Sequence, residues 1–222
     1  MEHTSTAGLP SQKNRLLAAV PRKFLILLFQ GINKIADFFI RIHVSPNLIS
    51  VLGLAAGVAA GVLFSMEQPV WAALLIIVCG IFDILDGRVA VNSHTRSLYG
   101  AIFDSTLDRY AEFFIYFGLA VHFRTGWALW LPFFAFLGSA MVSYTRARAE
   151  GLGIDCRVGF MQRAERMTLL VIAALAGSLF RVFDLAVIIV LVAIALVSNV
   201  TAFQRIYHVK TIEIQMRKKK ET

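Results

Sequence analysis

The sequence predicts an all-α integral membrane protein, and two observations carry that prediction. First, 58% of the 222 residues are hydrophobic, only 16% are charged, and the mean hydropathy is +0.69. In a soluble domain of this length about a quarter of the residues are charged. Second, six apolar segments each approach the ~20 residues that a helix needs to cross the hydrocarbon layer. The predicted transmembrane helices cover residues 48–66, 71–88, 100–122, 127–147, 165–181 and 183–204.

The first residues of the chain are polar, and an amphipathic segment follows them. We expect residues 1–15 to form a tail. Between 16 and 43, apolar residues recur at helical spacing with basic residues between them. This pattern predicts a juxtamembrane amphipathic helix in the interface plane. The alternative, a seventh spanning helix, would carry Lys34, Asp37 and Arg41 into the hydrocarbon layer, where charged side chains are costly.

The six spans form one predicted domain, residues 44–208, and a basic tail follows at 209–222. The first span is crowded with small residues. Within it, Gly57 and Gly61 form a small-xxx-small pattern, which lets helices approach closely. We interpret this pattern as packing inside one bundle rather than as a dedicated dimer face.

Lysines and arginines are distributed unevenly about the predicted spans. When Arg109 is counted, all but two of the 22 lie on the face with both termini and the longer loops 88–99 and 148–164. The exceptions are Arg124 and Arg181. The positive-inside rule therefore predicts a multi-pass protein of the cell membrane with both termini cytoplasmic. The net charge of +8 then indicates an anionic bilayer surface, and not nucleic acid, as a partner.

Four aspartates lie at the ends of the second and third spans. Asp83 and Asp86 are three residues apart, and Asp104 and Asp108 are four apart, so each pair shares one helical face. If the two helices are antiparallel neighbours joined by the loop 88–100, both pairs meet at the same face of the membrane, which the charge bias predicts to be the cytoplasmic one. An acidic group within the hydrocarbon layer costs about 3 kcal/mol, which favours a functional role. Converging carboxylates repel one another unless a hard cation lies between them, and oxygen ligands suit Mg²⁺, Mn²⁺ or Ca²⁺.

Small and acidic residues recur at fixed spacing around these aspartates. The pattern is Asp83-x-x-Asp86-Gly87-x-x-Ala90, followed by Gly100-x-x-x-Asp104-x-x-x-Asp108. It resembles the signature of the CDP-alcohol phosphotransferases, six-helix membrane enzymes that join a CDP-linked lipid to a second alcohol and release CMP. The resemblance extends over roughly residues 44–208.

The resemblance implies that the four aspartates bind Mg²⁺ or Mn²⁺, with two ions at the site. Asp83, Asp86 and Asp104 are the implied ligands. Asp108, also a ligand candidate, matches the position of the general base, which must deprotonate the attacking hydroxyl. Two divalent ions would neutralise the pyrophosphate bridge and stabilise the departing CMP.

A binding site for the CDP-linked lipid is implied as well. Gly87 offers backbone without a side chain, where a nucleotide can approach closely, and Ser97 matches a position that contacts the lipid. The segment before the first span matches the nucleotide side, although a plain helix start explains Pro46 and Asn47 equally well. The residues assigned to this site are Pro46, Asn47, Leu48, Ile49, Asp83, Gly87, Arg88, Val91 and Ser97.

The chain departs from the family pattern at one position. The pattern continues Asp-Gly-x-x-Ala-Arg, whereas Val91 follows Ala90 here. The missing arginine belongs near the phosphates of the nucleotide, so its loss bears on activity. Arg88 lies three residues earlier on the same helical face, and Arg96 is a second candidate. We expect one of them to compensate.

Three arginines lie at positions that resemble the acceptor site of one branch of the family. This branch comprises the prokaryotic phosphatidylinositol-phosphate and archaetidylinositol-phosphate synthases. Arg146, Arg166 and Arg205 match three basic residues that hold the phosphate of the acceptor in that branch. A dianionic phosphate is well served by several guanidinium groups, which can bind it in bidentate fashion. The alternative is that they are positive-inside anchors at helix ends.

Other arginines near these positions have a simpler explanation. For Arg148, Arg157 and Arg163 we favour membrane anchoring, or an ion pair with Glu150 or Glu165.

The expected reaction transfers the lipid phosphate from CDP-diacylglycerol, or its archaeal ether equivalent, to 1L-myo-inositol 1-phosphate. A glycerol-phosphate acceptor is the alternative within the family. Outside it, the aspartates could line a cation path, or Val91 could mark a catalytically silent scaffold. A path is poorly supported because the other spans carry no mid-bilayer aspartate. The resemblance also implies a homodimer.

Overall fold

A computed structural model describes the backbone of residues 22–156 and 158–221, and this part of the chain holds helices and no strand. The all-α prediction is therefore confirmed for these residues. The expected tail at 1–15, the segment 16–21, Arg157 and residue 222 lie outside them. In chain order the helices are α1 (Arg22–Arg41), α2 (Pro46–Ser65), α3 (Pro69–Asn92), α4 (Leu98–His122), α5 (Trp130–Gly151), α6 (Arg163–Leu179) and α7 (Phe183–Glu221), with a 3₁₀ turn at Trp127–Leu129 before α5.

Each of the six predicted spans coincides with a helix, and four of the described helices are long and apolar enough to cross a membrane. They are Pro46–Ser65, Pro69–Asn92, Trp127–Gly151 and Phe183–Lys218. The other two fall short for visible reasons. α4 carries Asp104, Asp108 and Glu112 among its apolar residues, and α6 has only 17 residues.

Local sequence explains where α2 and α4 begin. The hydroxyl of Ser45 accepts a hydrogen bond from the backbone N–H of Leu48 at 3.3 Å, and that of Ser97 accepts from Gly100 at 2.9 Å. Serine is a favoured N-cap because it satisfies an orphan backbone donor. Proline at the first position of α2 and of α3 loses no hydrogen bond. The second cap fixes the start of the helix that carries two of the aspartates.

α2 lies between α3 and α4 and packs closely against both. Gly53 faces α3, whereas Gly57 and Gly61 face α4. A Cβ atom on Gly57 would lie 2.7 Å from the Cβ of Ala111, and one on Gly118 would overlap the carbonyl group of Gly61. The small-xxx-small pattern therefore packs within the bundle, as predicted.

The two aspartate-bearing helices are not direct neighbours, so the aspartate pairs do not meet in the way considered from the sequence. α3 and α4 each pack along α2, and they do not pack along one another. The physical reason is the small-residue surface of α2, which lets a third helix backbone fit between them. The aspartates nevertheless meet, because both helices bring them to the same end of α2.

α1 docks at this end of the bundle. Ile32 and Ala36 are buried and form one apolar cluster with Ile49 of α2. Arg88 of α3 donates a hydrogen bond of 3.1 Å to Asn33 Oδ1. One face of α1 is therefore packed against the protein, which an amphipathic pattern predicts.

The second half of the bundle is built around α7, which packs against α5 and α6. α7 continues without a break from the apolar part of the chain through residue 208 to Glu221. At the opposite end of the bundle, His122 Nε2 lies 2.8 Å from Asp184 Oδ1 and joins the end of α4 to the start of α7.

Candidate active site

Three of the predicted metal ligands converge. Asp83 from α3 and Asp104 and Asp108 from α4 each offer a carboxylate oxygen, and these atoms all lie within 4.8 Å of one another. All three side chains are partly exposed. We call these residues the aspartate group. Its donors are oxygen only, and their spacing lets one hard divalent ion contact several of them.

Asp86 lies beside the aspartate group and is held differently. It is buried, and Ser50 Oγ donates a hydrogen bond of 2.6 Å to Asp86 Oδ2. Asp86 also interacts electrostatically with Asp104 and Asp83. Ser50 was missed by the sequence analysis, although a serine in the first turns of an otherwise apolar span is a visible signal.

A positive charge already contacts two members of the aspartate group. Arg163 Nη1 lies 3.2 Å from Asp83 Oδ2 and 2.7 Å from Asp108 Oδ2. The interpretation of Arg163 as an anchor or as a partner of Glu150 or Glu165 is therefore wrong. It is the first residue of α6, and this end of α6 packs against α3. Sequence spacing does not reveal such a tertiary contact.

The residues predicted to bind nucleotide surround the same end of α2, α3 and α4. Asn47 Oδ1 lies close to Gly100, next to the cap formed by Ser97. A side chain at Gly87 would meet nothing within 4 Å, so open space adjoins the backbone there. Leu48 is exposed. Gly87 and Leu48 therefore lie at the surface at this end of the bundle.

Two of the residues predicted to bind nucleotide, Ile49 and Arg88, already make contacts within the protein. Ile49 is fully buried in the apolar cluster under α1. Arg88 reaches Asn33 on α1, and Val91 is 38% exposed in the last turn of α3. Pro46 is the first residue of α2.

Arg166 is locked into the bundle. Its Nε lies 3.0 Å from Glu112 Oε1 and its Nη2 lies 3.3 Å from Glu112 Oε2. The two side chains are 1% and 3% exposed. Nη1 donates a longer bond of 3.4 Å to the carbonyl of Met161. Glu112 was not singled out from the sequence, although it lies four residues after Asp108 on the same helical face.

Arg205 is also buried, and it holds a loop. Its Nε donates to the carbonyl of Val158 at 2.8 Å, and its Nη1 donates to the carbonyl of Val142. Gly159 has a φ of +128°, and a Cβ there would clash with Thr201. Glycine therefore lets the loop between α5 and α6 pack closely against Thr201 on α7, one helical turn before Arg205.

Arg146 is the exposed member of the predicted trio. Its Nε pairs with Glu150 Oε1 at 2.8 Å. Arg146 and Arg166 are both close enough to Arg205 to repel it electrostatically. We call these three residues the arginine cluster. Buried within this region, the Cys156 thiol has its pKa raised by desolvation, which keeps it protonated at neutral pH.

The long apolar helices of this all-helical bundle indicate a membrane protein, and the aspartate group gives it a candidate metal site at one end. Residues 43–204 match the model of the CDP-alcohol phosphatidyltransferase family. The chain belongs to this family and is an enzyme of the CDP-alcohol phosphotransferase type. The resemblance drawn from the aspartate pattern is thereby confirmed.

Named relatives and solved structures agree with this placement. The chain is 36% identical to archaetidylinositol phosphate synthase of Methanothermobacter thermautotrophicus over 188 residues, which cover 84% of this chain and 92% of the relative. It is 35% identical to phosphatidylinositol phosphate synthase of Streptomyces avermitilis over 187 residues, covering 79% and 76%.

The fold is similar to that of phosphatidylinositol phosphate synthase of Mycobacterium tuberculosis. The structure of that enzyme with CDP-DAG bound gives a TM-score of 0.74 at 28% identity and covers 80% of this chain and 92% of that one. A second structure of it is in complex with manganese and citrate. Divalent metals are the cofactors of the family, and the aspartate group is a fitting donor set for them.

Proposed function

We propose that this chain transfers a phosphatidyl or archaetidyl group from a CDP-linked lipid to the hydroxyl of 1L-myo-inositol 1-phosphate and releases CMP. The observation that carries the proposal is the contact between the two halves of the site. Glu112 lies one helical turn beyond Asp108, and Arg166 lies three residues beyond Arg163. Because Glu112 and Arg166 pair with each other, the arginine cluster adjoins the aspartate group.

The arginine cluster is assigned to the phosphate of the acceptor. Arg146 is exposed and forms an i, i+4 ion pair with Glu150. A phosphate can replace that pair at little cost, because exposed pairs contribute about 0.5 kcal/mol. Arg166 is oriented by Glu112 and offers Nη1, whose bond to Met161 is long. Arg205 is the third member of the arginine cluster and is contributed by α7. The relatives named above are synthases of inositol-phosphate lipids, which supports this assignment.

The four aspartates are assigned to metal binding, with two Mg²⁺ or Mn²⁺ ions. When bound, divalent ions supply the positive charge that neutralises a pyrophosphate and its leaving group. Asp108 is assigned as the general base that takes the proton of the attacking hydroxyl. Its side chain is 24% exposed, so an acceptor can reach it. Ser50 orients Asp86 as the fourth carboxylate.

The CDP-lipid is assigned to the space around the starts of α2 and α4 and the end of α3. Gly87 gives backbone access there, and Arg88 is the guanidinium nearest to Val91 along α3. Ile49 would act only by shaping this surface, since it is buried. The proposed lining residues are Pro46, Asn47, Leu48, Ile49, Asp83, Gly87, Arg88, Val91 and Ser97.

The proposed membrane arrangement follows from the helices and the charges. α2 to α7 are assigned as six spans. α4 and α6 each connect two helices that can cross the membrane, so they are assigned as spans that return the chain to the opposite face. α1 is assigned to the interface plane. The end with the aspartate group, the arginine cluster and both termini is assigned to the cytoplasm. On the family resemblance, the chain is expected to act as a homodimer.

The proposal is tested by CMP release from purified protein with CDP-diacylglycerol and Mg²⁺. Inositol 1-phosphate, free inositol and glycerol 3-phosphate are compared as acceptors. We expect release with inositol 1-phosphate alone and its loss in Asp108→Asn. A preference for glycerol 3-phosphate would contradict the acceptor assignment and leave the aspartate assignment intact. If the protein releases no CMP with any acceptor, and Val91→Arg restores the release, then the replacement of the family's arginine by Val91 has abolished the activity.

A further inference from the structure

Arg163 lies where a cation is needed. One nitrogen, Nη1, contacts Asp83 Oδ2 at 3.2 Å and Asp108 Oδ2 at 2.7 Å. Both carboxylates belong to the aspartate group, whose members each offer an oxygen within 4.8 Å of the others. A guanidinium group and a metal ion at these two carboxylates compete with each other, because both carry positive charge and both bind carboxylate oxygens.

Little besides those two carboxylates holds the guanidinium of Arg163. Its Nε is buried and has no hydrogen-bond partner among the described residues. Its Nη2 makes a single long contact of 3.9 Å with Cys79 Sγ. The side chain is 21% exposed. Arg163 is therefore anchored at the aspartates and has a path to solvent.

Arg166, three residues further on α6, provides an internal comparison. Its guanidinium is bidentate on Glu112, and both side chains are almost fully buried. Glu112 lies outside the aspartate group. Of these two arginines on one helix, one has a permanent carboxylate partner and the other shares its partners with the metal.

We propose that Arg163 is an exchangeable counter-cation of the metal site. It neutralises Asp83 and Asp108 before a metal binds, and it leaves these oxygens when the metal arrives. The affinity for metal is therefore set by competition with a side chain of the protein itself. The inference rests on the proposed function, in which Asp83 and Asp108 are metal ligands.

The test is a Mn²⁺ titration of the full chain in detergent, stripped with EDTA and followed by electron paramagnetic resonance without any substrate. Arg163→Gln is compared with Arg109→Gln. Arg109 interacts electrostatically with Asp104, but its Nη1 donates to the carbonyl of Ser105 and not to a carboxylate. It is a matched control for the loss of one nearby charge.

We expect Arg163→Gln to bind Mn²⁺ about tenfold more tightly than the unmodified chain, and Arg109→Gln to stay within about twofold. Arg163→Lys keeps a cation at the site and should resemble the unmodified chain. Arg163→Met is a second neutral variant of similar volume, should the glutamine variant not fold. Its Mn²⁺ affinity should rise like that of Arg163→Gln.

Equal tightening in the Arg163 and Arg109 variants would overturn the proposal, because general charge would then explain the effect. Weaker binding in Arg163→Gln would overturn it too, since Arg163 would then support the metal instead of competing. Asp108→Asn separates the two claims. If that variant binds Mn²⁺ normally, the ligand assignment fails. If it loses Mn²⁺ while Arg163→Gln is unchanged, only the exchange fails.

Discussion

Arg163 and Arg166 lie three residues apart on α6 and contact different carboxylates. Arg163 contacts Asp83 and Asp108 at the partly exposed aspartate group. Arg166 and Glu112 form an ion pair that is almost fully buried. Removing one partner of a buried pair leaves an uncompensated charge in a low-dielectric interior, which is far more costly than losing a surface pair. The pair therefore joins α4 to α6 where the arginine cluster adjoins the aspartate group.

Replacing Glu112 by Gln should destabilise the protein by about 3–5 kcal/mol, because Arg166 would remain charged and buried without a counter-charge. The measurement is the thermal unfolding midpoint in detergent. The control is the double variant Glu112→Leu with Arg166→Met, which replaces the pair by apolar groups and should be more stable than Glu112→Gln. Unchanged stability in Glu112→Gln would contradict a structural role for the pair.

At this scale the sequence predicted the acidic residues better than their partners. The aspartates could be found because their spacing along two helices is local, and local spacing fixes a shared face. Ser50, Glu112 and Arg163 act across helices. Their partners depend on how α2, α3, α4 and α6 pack, which spacing within one segment does not encode.

At the scale of helices, α2 organises the site. Its glycine face receives α4 on one side and α3 on the other, and this arrangement brings the aspartates to one end. Gly61 and Gly118 pack backbone against backbone. Any side chain at this contact must push α4 away from α2 and displace Asp104 and Asp108 with it.

Gly118→Ala tests this packing with the smallest possible change. A methyl group there would overlap the carbonyl of Gly61, so we expect a loss of about 1–3 kcal/mol in the free energy of unfolding. Gly80→Ala is the matched control. A Cβ at Gly80 meets nothing within 4 Å, so alanine should stabilise α3 by about 1 kcal/mol through helix propensity. Thermal unfolding of both variants in detergent measures the difference, and equal effects would contradict the close α2–α4 contact.

The sequence predicted the bounds of α2 to α6 and the start of α7 to within a few residues, because apolar length and turn residues are strong signals. It did not predict that α2 separates α3 from α4. Chain order favours neighbours in sequence as neighbours in space, and the small residues of α2 override that tendency. It also did not show that α7 would continue as one helix to Glu221, since the apolar signal ends near residue 204.

At the scale of the whole molecule, charge and hydropathy agree on an arrangement. The apolar helices form a bundle, and one end of this bundle is polar because it carries the aspartate group and the arginine cluster. The opposite end holds the His122–Asp184 pair. In the proposed arrangement, which follows the charge bias, the polar end faces the cytoplasm.

Single introduced cysteines can test this orientation, because the two natural cysteines, Cys79 and Cys156, are buried. Gln68 and Thr95 are exposed at opposite ends of α3. In intact cells a membrane-impermeant maleimide should label Gln68→Cys, whereas Thr95→Cys should react only after the membrane is opened. The reverse pattern would invert the proposed orientation.

The central claim is that the arginine cluster binds the phosphate of the acceptor, and the KM for inositol 1-phosphate in Arg146→Gln tests it most directly. A charged hydrogen bond contributes about 1.5–3 kcal/mol, so we predict a rise in KM of at least about tenfold, with the KM for CDP-diacylglycerol unchanged. Arg148→Gln, an exposed arginine on the same helix, should stay within about twofold of the unmodified enzyme. Equal effects of the two variants, or an unchanged KM in Arg146→Gln, would contradict the account.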